Sequence, residues 1–165
     1  MESAKFYREL YEQLGGLTPL AFDCGRLCDK ACCEVTPALP GMYLFPGEDA
    51  LYADVAGFSI STRDLPGYGP VQLLNCDGAC DRELRPLECR VFPLVPKATA
   101  DAVKCRVDAR GRSVCPLCHQ GKGALTREFV AAVQGVFDAL WQEPETKRFL
   151  IALSNAVDEY EKPLF

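Results

Sequence analysis

Four cysteines fall within ten residues at CGRLCDKACC, positions 24–33, and six more follow at Cys76, Cys80, Cys89, Cys105, Cys115 and Cys118. At 165 residues the chain is long enough to bury a core without crosslinks, so small size does not account for ten thiols. Its opening, MESAKFYRELYEQLGG, lacks a basic stretch followed by an apolar one, and no run of about eighteen apolar residues follows. A cytoplasmic location with no membrane partner is therefore expected. In a reducing compartment such spacings point to metal ligation or thiol chemistry rather than to a disulfide framework.

Within the first group, Cys24, Cys28 and Cys32 are four residues apart, which on a helix sets three thiols on one face. Three thiolates so placed repel one another unless a cation sits among them. Cys33, adjacent to Cys32, points elsewhere on any regular element, so it either serves a second metal or packs. The run misses the CxxxCxxC spacing of radical chemistry by one residue. Further along, CPLCH at 115–119 matches a c-type haem attachment pattern, but reads better as a zinc knuckle whose tight turn aims two thiolates at one ion. Cys105 is expected to face Cys115 across a hairpin turning at 108–111. His119 is either a further ligand or a solvent-exposed neighbour.

The rest of the chain supplies ordinary folding signals. Apolar residues make up 48% and charged residues 25%, as in a folded globular protein. Phe6, Tyr7, Leu10, Tyr11 and Leu14 mark a helix over 3–14 that Gly15 and Gly16 end. Glu48 and Asp49 lead into a short helical turn, with Glu48 as its cap. FSIST (58–62) and VQLLN (71–75) read as strands, and VKCRV and RSVCP as a hairpin. Leu125, Phe129, Val133, Phe137, Leu140 and Trp141 stripe a helix over 125–142, and a second begins at Pro144, with Phe149, Leu150, Leu153, Val157 and Tyr160 inward. The expected fold is mostly α with short β elements, an α+β class. It forms a single domain over 1–165, with a cysteine-rich metal-binding core at 24–118 clamped by terminal helices and a C-terminal helical hairpin at 124–161.

The formal net charge is -5, and the basic residues are scattered singly, so no stripe suited to a phosphate backbone is present and no nucleic-acid partner is expected. No Ser/His/Asp set, HExxH motif or phosphate-cradling loop supports catalysis.

Taken in order, CGRLCDKACC, GMYLFPGE, LNCDGAC and RPLECRVFP resemble the YkgJ-type cysteine-cluster family, a zinc- or iron-chelating domain. The resemblance covers residues 24 to about 95 and implies a metal site drawn from Cys24, Cys28, Cys32, Cys33, Cys76, Cys80 and Cys89, with Glu48 in a matching segment. The gaps before the CC pair are wider than the family's usual CxxC, which leaves the partition of ligands open. Cys105, Cys115 and Cys118 lie outside its pattern. In RPLECRVFP, Arg85 and Arg90 are placed to donate hydrogen bonds toward thiolates or nearby carbonyls. The expected function is metal binding, with these ten cysteines holding zinc in one or two sites at about four thiolates per ion. The alternatives are iron or an iron–sulfur cluster, for electron transfer or in support of a methylation-type reaction, and a redox-active thiol.

Overall fold

A computed structural model describes residues 2–20, 41–76, 82–113 and 115–162. Helix α1, Glu2–Leu14, follows the apolar stripe, burying Tyr7, Leu10 and Leu14. The chain resumes at Gly41 with the two-residue strand β1, Met42–Tyr43, and a 3₁₀ turn at Glu48–Leu51. Strands β2, Phe58–Leu65, and β3, Gly69–Cys76, form an antiparallel hairpin, and β1 pairs with the other edge of β3. The hairpin connection explains itself in sequence. Pro66 and Gly67 stand at the two central positions of a type II turn, Gly67 has φ +83°, and the Tyr68 N–H closes the turn on the Leu65 carbonyl at 2.9 Å.

After a 3₁₀ turn at Arg82–Leu84, RPLECRV folds into the short helix α2, Leu87–Val91. A second antiparallel pair follows, β4, Leu94–Ala98, with β5, Val103–Val107. This corrects the expected hairpin. VKCRV is a strand, but its partner is the upstream LVPKA, while ARGRS, 109–113, winds into a 3₁₀ turn. Pro96 is accommodated in this strand because β4 is paired on one side alone in a two-stranded sheet, where a missing N–H leaves no ladder bond unmade.

Helices α3, Arg127–Trp141, and α4, Pro144–Glu161, complete the chain where the stripes placed them. Thr126 caps α3 by accepting the Phe129 N–H at 3.3 Å, and Pro144 occupies the first turn of α4, where no helical partner is needed for its nitrogen. Helix α3 packs on β5 and on α1, and α4 on β4, so the α+β architecture has the two sheets and three long helices sharing a continuous apolar core. Phe129, Val133, Val136, Phe137, Leu140, Phe149 and Leu150 are fully buried in it. At the edge of the second sheet, Asp158 of α4 accepts from Lys97 at 2.9 Å and Arg106 at 2.6 Å. Among the described residues no helix is long and apolar enough to cross a membrane.

Candidate metal centre

Cys115 and Cys118 begin and close one turn of 3₁₀ structure, Pro116–His119. Pro116 presets the turn, and the Cys118 N–H donates to the Cys115 carbonyl at 3.0 Å. In a 3₁₀ turn the side chains at i and i+3 eclipse, so this backbone bond sets the two thiols side by side. The preceding 3₁₀ turn holds the pair from behind, because the Cys115 N–H donates to the Gly111 carbonyl at 2.8 Å. Gly111 has no room for a side chain. A Cβ there would lie 2.7 Å from Cys118 Sγ and 2.8 Å from the Phe92 ring.

Both thiols are buried, at 6% and 4% exposure, and they hydrogen-bond to each other. The Cys118 thiol, as donor, holds Cys115 well below the ordinary thiol range, at about 6, helped by the backbone N–H groups of Leu117 and Cys118 and opposed by burial. The same bond, with burial and the nearby Cys115 and Asp108 charges, drives Cys118 upward. A cation at the pair would favour loss of the thiol protons.

Beneath the pair lies a buried ionic group that sequence reasoning missed. Arg110 donates its main-chain N–H and its Nε to Asp108 Oδ1 at 2.9 and 3.0 Å, and Nη2 to Oδ2 at 2.9 Å. The same Nη2 reaches Glu88 Oε1 at 3.3 Å, and Glu88 Oε2 accepts the Tyr43 N–H. Burial lifts Glu88 to about 7, because Asp108 takes the shorter bonds of Arg110 and adds its own negative charge. Burial works against the charge on Arg110, yet its bonds to Asp108 hold the guanidinium firmly protonated. Glu88 lies between Leu87 and Cys89, and a carboxylate directly between those two neighbours was the available signal.

Glu48 is not the expected cap: Gly47 is the N-cap of its turn, which has no side-chain cap bond, and Glu48 instead bridges distant segments. Its Oε2 accepts the Phe45 N–H at 2.9 Å, while Oε1 accepts from the Tyr11 hydroxyl and from the Leu87 N–H at 2.6 Å. It is completely buried, and burial raises its pKa. Glu48 and Glu88 together tie α2, which carries Cys89, to α1 and β1. Arg90 donates to the Arg85 and Glu83 carbonyls at 2.6 and 2.8 Å and lies 4.1 Å over the Tyr11 ring, so it serves the backbone rather than a thiolate.

The expected ligands fall into separate places. Cys89 is half-buried on the wall of a cleft of about 300 Å³ between α2 and the end of α1. Cys105 is buried in β5, its N–H donating to Gln134 of α3 at 3.0 Å, and burial raises its thiol. The hairpin that would have set Cys105 opposite Cys115 does not form. His119 is exposed, with Nε2 2.9 Å from the Arg112 carbonyl. Cys76 ends β3. Cys24, Cys28, Cys32, Cys33 and Cys80 lie outside the described residues. Among the described residues no group of three or more Cys, His, Asp or Glu side chains is placed to hold a metal ion, and of the cysteines described there Cys115 and Cys118 are the pair that one turn brings together. Comparison with family models, with curated proteins and with solved structures finds no match for this chain.

Proposed function

We propose that this chain is a metal-binding protein in which cysteine thiolates hold zinc. The observation that carries the reading is the Cys115–Cys118 pair, two buried thiols fixed side by side by one turn of backbone, one of them already favoured as thiolate. Such a turn supplies two of the four donors of a tetrahedral zinc site. The other two come from cysteines elsewhere, within Cys24, Cys28, Cys32, Cys33, Cys76, Cys80 and Cys89, whose order along the chain resembles the YkgJ-type chelating family. Asp108 and Arg110 lie beneath the pair, a position suited to neighbours that tune a ligand's charge. Zinc held by four thiolates has a closed coordination shell, and the role is then binding or stabilisation rather than turnover.

The deciding experiment is elemental analysis of protein purified without air. About one or two zinc ions per chain are expected, on the basis of four thiolates per ion. A Cys115→Ser/Cys118→Ser double variant should lose one of them. Iron in place of zinc, with brown colour, would transfer the site to an iron–sulfur cluster, and protein free of any metal would end the proposal.

A further inference from the structure

The same pair has a chemistry of its own. An i to i+3 turn closed by a 3.0 Å backbone bond sets its end Cα atoms within the reach of a disulfide. On its other side the Cys118 sulfur is walled by the backbone of Gly111 and the ring of Phe92. Cys105 lies apart in β5, whose strand partner is β4, while Cys115 and Cys118 share one turn. The turn is a thin cover. Arg112, Pro116, His119 and Gln120 around it are all exposed, while the two thiols beneath are buried.

We propose that Cys115 and Cys118 form a peroxide-sensitive dithiol that closes to a disulfide, and that disulfide and metal are alternative occupants of the pair. The release of metal rests on the reading in the previous subsection; the disulfide does not. The Cys115 sulfur attacks one oxygen of hydrogen peroxide, the O–O bond breaks, hydroxide leaves, and Cys115 becomes a sulfenic acid. The Cys118 sulfur then displaces the hydroxyl from Cys115, forming the S–S bond. The two thiol protons and two oxygens leave as two waters, and the two electrons taken from the sulfurs have reduced one peroxide. A cellular thiol reverses the step by exchange.

The test uses the full chain, stripped of metal by a chelator under anaerobic conditions and shown by circular dichroism to be folded. One equivalent of peroxide is added, remaining thiols are alkylated after denaturation, and peptides are mapped without reductant. The expected result is loss of alkylation at Cys115 and Cys118 together, with an S–S link between them, while Cys105 stays fully alkylated. The Cys118→Ser variant should hold Cys115 as a sulfenic acid that a dimedone probe captures. Both thiols remaining alkylatable, or links spread among other cysteines, would overturn the proposal. Metal content is measured separately on untreated protein. A metal-free preparation that still forms the disulfide sinks the zinc reading alone, and a zinc-loaded one whose stripped form does not react sinks this inference alone.

Discussion

At Glu88 a carboxylate is buried with a partner that belongs mainly to Asp108, and its protonation is coupled to folding. Its folded pKa, about 7, is raised above the ordinary 4.5, so the folded state binds its proton more tightly than the unfolded chain does. The stability it contributes is complete below about 4.5 and is lost as pH rises through about 7, on the order of 3 kcal/mol in all. Cys115 acts with the opposite sign, since a thiol lowered to about 6 contributes stability that is lost as pH falls through that value. Comparing urea midpoints of the parent with those of Glu88→Gln isolates the first effect. The difference between the two proteins should narrow or invert as pH rises through about 7, and a constant difference would contradict the assignment. Gly111 is a steric matter instead. Gly111→Ala should cost roughly 1–3 kcal/mol by overpacking, read from the same midpoints, because the new methyl meets both the Cys118 sulfur and the Phe92 ring.

Among the elements, the long helices were legible because nothing but an apolar stripe and its caps is needed to specify them. Phe149, on the inner face of α4, shows what such a stripe builds. Its ring packs against Phe45, Tyr68 and Tyr43 with centroids 4.8, 5.5 and 6.2 Å away, joining α4 to the first sheet. Phe149→Ala should cost roughly 3–5 kcal/mol in a denaturant titration. A loss below about 1 kcal/mol would mean that the aromatic cluster is not a working part of the core. The strand partners were less legible. VKCRV carries no label for which neighbour it pairs with, and its true partner, LVPKA, holds a proline that a strand tolerates only where one edge is unpaired. The CPLC turn was readable from Pro116 and the spacing alone, whereas its support by Asp108, Arg110 and Gly111 depends on contacts that no local pattern encodes. Tyr11 and Glu48 make the same point, since their bond joins residues 37 positions apart.

On the scale of the whole molecule, the helices and sheets close over an apolar core in which the thiols of Cys105, Cys115 and Cys118 are a minority of the buried side chains. A core of that extent does not depend on a metal for its existence. Prolonged treatment with a strong chelator should therefore lower the thermal midpoint and yet leave a cooperative transition and most of the helical circular dichroism. Collapse of the helical signal on chelation would show that metal binding and folding are one event.

The order in which the chain is made gives the α1 packing a further meaning. Helix α1 finds its place against α3, and Thr126 at the start of that helix donates its N–H to the Pro19 carbonyl at 2.9 Å and its hydroxyl toward the Thr18 carbonyl, 108 positions earlier. During synthesis the whole intervening stretch, with every cysteine in it, leaves the ribosome before that contact is made. The nascent thiols thus meet solvent, and any metal in it, before that contact forms.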